Sequence, residues 1–243
     1  MCIYFEFAVP LTIGEINSAD LNIEKERILR RIFQQYVPFG NPPTVPITTR
    51  EFKVRAVLTV NNFALDFLAL CSYHDFFAIL FIILGIDQSW EWPPLFGCLS
   101  EAYSMRNFWK MFWHRLVYKS FNAHASIISS TIRIPQGTSF SRIFNNSLVF
   151  LLSAFMHATV TWKHESQCAW GRDMMFWCAQ PLAFLLEGVV QRYWKAFRRT
   201  MLSRMNPFFL NAFERFIGYV WVLVWLMWCA PKRAFALNNC STW

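Results

Sequence analysis

The chain has 243 residues, 55% of them hydrophobic and 19% aromatic, with only 16% charged and a formal net charge of +8. That is more apolar and far more aromatic than a soluble domain of this size requires, and it points to a membrane protein. The basic residues lie between apolar runs without a nucleic-acid-binding motif, so loops facing an anionic leaflet explain the charge and no nucleic-acid partner is expected.

The N-terminal MCIYFEFAVPLTIGE has no basic n-region and meets Glu6 and Pro10 early. No cleavable signal peptide is expected, and insertion rests on internal segments. Residues 20–36 have the pattern of an amphipathic helix, and the proline-rich VPFGNPPTVPITTR at 37–50 reads as an extended linker. Residues 1–53 are therefore taken as an N-terminal polar segment with its linker, and 54–243 as one membrane-embedded domain. Four apolar stretches follow, at 67–86, 147–162, 174–190 and 213–230. Several fall short of the roughly 20 residues that cross a ~30 Å core, and polar residues interrupt three of them. Trp90, Trp92, Trp162, Trp170 and Trp243 lie near their ends, where amphipathic rings favour the membrane interface. The expected fold is all-α: a multi-pass membrane protein of about four transmembrane helices plus an interfacial amphipathic helix at 103–119.

Single crossings put 87–146 and 191–212 on one side. Both are basic, through Arg106, Lys110, Arg115, Lys119, Arg133 and Arg142, then Arg192, Lys195, Arg198, Arg199 and Arg204, so both are expected in the cytosol. The connection 163–173 is charge-balanced, as the far side should be. Residues 24–55 conflict with this topology, since Lys25, Arg27, Arg30, Arg31, Arg50, Lys53 and Arg55 would lie on the far side. Either the apolar region beginning near Val54 re-enters, or that assignment fails. Seven cysteines, at positions 2, 71, 98, 168, 178, 229 and 240, form neither a CxxC pair nor a dense framework. Most are expected to be small buried hydrophobes, with little support for a disulfide scaffold or a zinc site.

In YSMRNFWKMFWHRLVYK at 103–119, a rotation of about 100° per residue puts Arg106, Lys110 and His114 on one stripe, opposite Phe108, Trp109, Phe112, Trp113 and Leu116. A helix lying on the bilayer accounts for this pattern. The functional version adds that the cationic stripe holds a phosphate-bearing cosubstrate. FLLSAFMHATVTW at 150–162 places His157 in a run apolar enough for a bilayer. The ring is either a hydrogen-bonded packing residue or a site. Ser153, four residues earlier, and Thr161, four later, share its helix face and are placed to orient it. A neutral, partly desolvated imidazole suits a general base.

His157 and His164 stand roughly 10 Å apart along a helix, too far to share an ion, and His74 and His124 add no HxxxH or HExxH spacing. No metal site is expected. Asp66 and Asp75 read as a helix end or kink with water access. Asn145-Asn146-Ser147 and Asn239-Cys240-Ser241 match the glycosylation pattern only weakly, and the first faces the cytosol in this topology. No Gly-rich phosphate loop, GxSxG elbow or dinucleotide fingerprint is present.

WPPLFG (92–97), AYSMRNFWKMFWHR (102–115) and FLLSAFMH (150–157) resemble, in order and in spacing, the wax-synthase-like branch of the membrane-bound O-acyltransferases, particularly its fungal members that acetylate terpenoid and meroterpenoid alcohols. The resemblance spans residues 50–230 or so. It implies an endoplasmic-reticulum enzyme in which a membrane-embedded histidine, here His157, activates a hydroxyl to attack an acyl-CoA thioester, with His114 at the family's second polar position. The expected function is transfer of an acetyl group from acetyl-CoA, a cosubstrate with no bound cofactor beside it, to a hydrophobic terpenoid alcohol of secondary metabolism. His114 or Asn107 would donate to the thioester oxygen, Arg106 and Lys110 would hold CoA phosphates, and Trp109, Trp113 and Ser153 would line the substrate region. The partners are then acyl-CoA, the alcohol and the lipid bilayer. Two alternatives stand beside this: a wax synthase joining a long-chain acyl-CoA to a fatty alcohol, and an inactive membrane scaffold in which His157 only packs. Such proteins carry further hydrophobic segments before the proline-rich region, where this chain begins with a largely polar stretch.

Overall fold

The computed structural model describes residues 14–36, 45–164, 168–201 and 206–240. The first 13 residues of the stretch read for a signal peptide, residues 37–44 of the linker, Cys2, Arg204, the His164 side chain, Ser241 and Trp243 lie outside the described residues. Every regular element described is helical. The longer helices are α1 (Ile28–Tyr36), α2 (Thr49–Ile83), α3 (Tyr118–Thr131), α4 (Ser139–His164), α5 (Trp170–Met201), α6 (Pro207–Cys229) and α7 (Lys232–Asn238).

Four segments are long and apolar enough to cross a membrane: Thr49–Ile83, Ser139–Lys163, Trp170–Met201 and Pro207–Asn238. Each overlaps one of the expected apolar stretches, and the last three run past theirs at both ends. A helix keeps its backbone hydrogen-bonded whatever its side chains, so it stops where the chain is turned rather than where apolarity ends. At the end of α2 the turn is Gly85, whose φ of 69° lets Ile86 N–H reach Phe81 O at 2.9 Å and Gly85 N–H reach Ile82 O at 3.0 Å. Between Thr49 and Ile83 the helix is uninterrupted. The region near Val54 therefore does not re-enter, and neither Asp66 nor Asp75 marks a helix end. Asp75 is exposed and meets His74 Nδ1 at 3.1 Å.

The surface is inverted relative to a soluble protein. Phe76, Ile79, Ile83, Val190, Phe213 and Phe216 point outward, while Gln180 and Ser129 are fully buried. That is the arrangement a lipid solvent imposes, since polar groups must find protein partners and apolar ones need none. Trp90, Trp162 and Trp170 are exposed, as interface rings should be. Trp92 instead is half-buried, edge-on to His74 at 5.2 Å and donating to Asp87 at 3.1 Å.

The chain forms two compact units: one of residues 1–65, 157–175 and 226–243, the other of residues 66–156 and 176–225. In the first, the amphipathic pattern expected over 20–36 becomes a 3-10 turn, Ile23–Glu26, followed by α1. Its polarity is turned inside out: Arg31 is buried while Leu29, Phe33 and Tyr36 are exposed. Arg31 donates from Nε to Val45 O (3.1 Å), from Nη1 to Lys25 O (3.2 Å), from Nη2 to Pro46 O (3.0 Å), and from both Nη atoms to the Glu51 carboxylate at 2.8 Å. All five N–H groups of the guanidinium are used. Arg55 adds a 3.4 Å bond to Glu51 and a 2.6 Å bond to Lys25 O, and lies 4.9 Å over the Phe235 ring. Arg50 pairs with Asp20 at 2.6 Å, and Arg172 with Glu26 at 2.9 Å. Much of the basic excess in 24–55 is thus spent on internal partners. That is why counting charges there gave a conflict.

The same unit corrects the cysteine expectation. Cys168 and Cys240 form a disulfide across a sequence separation of 72, with Cα atoms 5.7 Å apart. Proximity of that kind is set by the fold and leaves no mark in cysteine spacing. Among the other described cysteines only Cys229 is buried, while Cys98 and Cys178 are exposed.

Candidate active site

The segment 103–119 does not form the single amphipathic helix expected. Ser104 caps a short turn, Met105–Asn107, its Oγ accepting Asn107 N–H at 3.1 Å. A wider π turn, Phe108–Phe112, follows and is closed by Trp113 N–H on Phe108 O at 2.8 Å. The Phe108 and Trp113 rings stack at 5.8 Å and 15°, an i, i+5 contact that the widened turn allows. Trp113 then leaves the helix in an extended conformation, and α3 starts only at Tyr118. The extra residue per turn breaks the phase on which the cationic stripe depended. Arg106 and Lys110 are exposed, His114 lies past the helical turns among aromatic rings, and Leu116 is exposed.

The first motif closes directly on this turn. Gly97 N–H donates to Phe112 O at 2.9 Å, and a Cβ at Gly97 would sit 1.9 Å from Met111 O. Only glycine permits that approach. Phe96 beside it touches Phe67 (4.4 Å), Trp113 (5.2 Å) and His114 (5.6 Å). On the upstream side α6 makes the same kind of contact: a Cβ at Gly218 would lie 2.0 Å from Tyr103 O, and Tyr219 donates its hydroxyl to Ser100 O at 2.5 Å. Trp109 reaches the third motif through Phe150 (5.7 Å) and α5 through Trp177 (5.2 Å). All three sequence blocks therefore contribute to one aromatic cluster in the second unit.

Two residues of α5 that sequence reasoning passed over hold this cluster. Gln180, fully buried, accepts the indole N–H of Trp109 and of Trp225, each at 3.3 Å. Glu187, also buried, accepts Met105 N–H at 2.8 Å. The available signal was their cost: two polar groups seven residues apart, on one face of an apolar helix, need partners for the same reason His157 does.

His114 is half-buried, and burial pushes its imidazole down to about 4, so the ring is neutral at physiological pH. Its Nδ1 is buried with no hydrogen-bond partner among the described residues. Asn107 is half-buried, one residue after the exposed Arg106.

His157 belongs to the first unit. It is half-buried on α4, with Ser153 and Thr161 buried one turn to either side. Thr161 gives its hydroxyl hydrogen to the Asp173 carboxylate. Arg233 Nε lies 3.8 Å from the other Asp173 oxygen. Among the described residues no group of three or more His, Cys, Asp or Glu is placed to hold a metal ion.

Comparison with known proteins places the sequence in a family. The sequence model of the membrane bound O-acyl transferase family matches residues 92–179, which run from the PPLFG block to Gln180's neighbour Ala179. Among curated proteins, acetyltransferase aurG of Calcarisporium arbuscula is 27% identical over 198 residues, 81% of this chain and 46% of that protein. Acetyltransferase atnC of an Arthrinium species is 27% identical over 191 residues, 78% of this chain and 43% of its own. Acetyltransferase nanB of Aspergillus nanangensis is 31% identical over 164 residues, 67% of this chain and 39% of its own. The chain thus spans less than half the length of each of these relatives. No solved structure gives a significant match. With the PPLFG glycine, the π-turned FW block and the histidine helix all in the matched segment, the chain belongs to the membrane-bound O-acyltransferase family, alongside its fungal acetyltransferases.

Proposed function

We propose that the chain transfers an acetyl group from acetyl-CoA to a hydroxyl of a hydrophobic terpenoid or meroterpenoid alcohol in secondary metabolism, at the endoplasmic-reticulum membrane. The observation that carries the reading is the neutral, half-buried His114, with an unmatched ring nitrogen, a few residues from the exposed cations Arg106 and Lys110. The names of the acetyltransferase relatives support the acyl group. Arg106 and Lys110 bind CoA phosphates by charge-assisted hydrogen bonds. His157 accepts the hydroxyl proton as the alcohol oxygen attacks the thioester carbonyl, a contribution of about 10² to 10⁴ in rate. The new C–O bond forms, the C–S bond breaks, and the CoA thiolate leaves and takes up the proton. His114 or Asn107 donates to the carbonyl oxygen as charge develops on it. Trp109, Trp113 and Ser153 line the substrate region and exclude water, which would otherwise hydrolyse the thioester.

The test is label transfer from radiolabelled acetyl-CoA to a panel of terpenoid alcohols, in microsomes carrying the chain or its His157→Ala variant at matched levels. Labelled ester with the original and none with the variant is the expected result. Equal labelling in both returns His157 to packing. Ester formed only from palmitoyl-CoA and a fatty alcohol replaces the acetyl reading with wax synthesis.

A further inference from the structure

We propose that Glu187 is a positioning residue for the FW-block turn, fixing the backbone from which Arg106, Asn107 and Lys110 project. Its link to catalysis rests on the acetyl-transfer reading, while its link to the turn rests on the observed contact alone.

Glu187 is only 9% exposed on a helix of largely apolar composition, a position where a carboxylate is costly unless hydrogen bonds meet it. Both oxygens are met by N–H groups. Oε2 accepts Met105 N–H at 2.8 Å, and Oε1 accepts Gln191 Nε2–H at 2.9 Å from one turn along α5. Gln191 therefore holds the carboxylate in place, and the carboxylate holds Met105. Met105 is fully buried and opens the turn directly after the Ser104 cap. Its N–H is one of the first-turn donors that have no partner within a helix. With Ser104 taking Asn107 N–H, two of these donors are fixed from outside the turn. The next residues are Arg106 and Asn107, so a displacement of Met105 is passed straight to the groups assigned to CoA and to the thioester oxygen. A role in packing alone would be served by an apolar side chain of similar size. An acceptor aimed at one backbone N–H is served only by an oxygen.

The test compares Glu187→Gln, which keeps a carbonyl acceptor, with Glu187→Leu, which keeps volume alone, in the full chain. Glu187→Leu is expected to raise KM for acetyl-CoA about tenfold, the size of one charge-assisted hydrogen bond, and to lower kcat with it through the displaced Asn107, while Glu187→Gln stays near the original in both. Trypsin acting on the detergent-solubilised chain gives a readout independent of activity. Cleavage after Arg106 and Lys110 should quicken in Glu187→Leu and not in Glu187→Gln, with cleavage after Arg192 as the unchanged reference. An unchanged KM and unchanged cleavage in Glu187→Leu, damage from Glu187→Gln equal to that from Glu187→Leu, or a fall in kcat alone would each overturn the assignment. Should Glu187→Leu fail to accumulate, Gln191→Leu loosens the carboxylate without removing it. It should shift KM and cleavage in the same direction by less, and original values for both would equally overturn the proposal. If the original chain transfers no acetyl group, the acetyl-transfer reading fails by itself, and the cleavage pattern still decides what Glu187 does.

Discussion

The two units meet one problem in different ways: holding helices together in a solvent as apolar as their own side chains. The first unit uses charge and a covalent bond, with Arg31 and Arg55 on Glu51, Arg172 on Glu26, Arg50 on Asp20, and Cys168 joined to Cys240. The second uses rings and close backbone approach. Phe96 meets Trp113, Trp113 meets Trp109 and Trp109 meets Phe150, Gly97 and Gly218 let carbonyls reach them, and Gln180 gathers two indoles. A buried ion pair recovers its desolvation cost only when every donor is met, as at Arg31, and removing one member leaves the others exposed to the full cost. Ring packing spreads its energy over many small contacts. The first unit should therefore fail at single side chains, and the second at displaced backbone.

The largest test of that contrast is Glu51→Gln, which leaves Arg31 and Arg55 without their shared carboxylate and should cost about 3–5 kcal/mol in denaturant unfolding of the purified protein. A loss below about 1 kcal/mol, the scale of a surface pair, would remove the claim that charge holds this unit. Reducing the Cys168–Cys240 bond, or replacing both cysteines by serine, should cost about 2–4 kcal/mol through the freed chain entropy of the unfolded state. Unfolding curves that superimpose with and without reductant would contradict this.

In the second unit, Gly97→Ala forces the PPLFG backbone away from Met111 O and should cost about 1–3 kcal/mol together with most of the proposed acetyl transfer. Gly171→Ala is its control, since a Cβ there meets nothing within 4 Å. Equal effects of the two substitutions would show that the close approach is not what matters.

The remaining test is pH. His114 titrates at about 4 in the folded chain against an ordinary value of 6.5, so the unfolded chain binds the extra proton between those values. The stability His114 contributes is complete above about 6.5 and declines as pH falls toward 4. In the first unit, hydrogen bonding to Arg50 holds the Asp20 carboxyl below its usual range, so that contribution is lost only at lower pH still. Acidification should loosen the second unit first, and His114→Phe should abolish the decline between 6.5 and 4 in a stability–pH profile. A profile unchanged by that variant would assign the decline to other groups.

Much of the candidate site was legible in the sequence. The FW block and the histidine helix stood out by composition and spacing and PPLFG through the family resemblance, and the structure gathers residues of all three into one cluster. The arrangement inside the FW block was not legible, because a rotation of 100° per residue was assumed for a stretch that widens into a π turn. Gln180 and Glu187 were missed although each carried the same signal as His157, a polar group in an apolar run. Thr161 was placed on a buried face, but its hydroxyl bond to Asp173, which comes from a different helix, could not be read from local spacing.

By itself the sequence determined the solvent, the helical class, the crossing segments and the motif blocks, because apolarity and local spacing are properties of the chain read in order. Only the tertiary structure decided which charges are spent on each other, which two cysteines meet, and which residues of α5 hold the FW-block turn. Those depend on groups tens of residues apart being brought within hydrogen-bonding distance, and each helix face chooses its partner only when its own unit has packed.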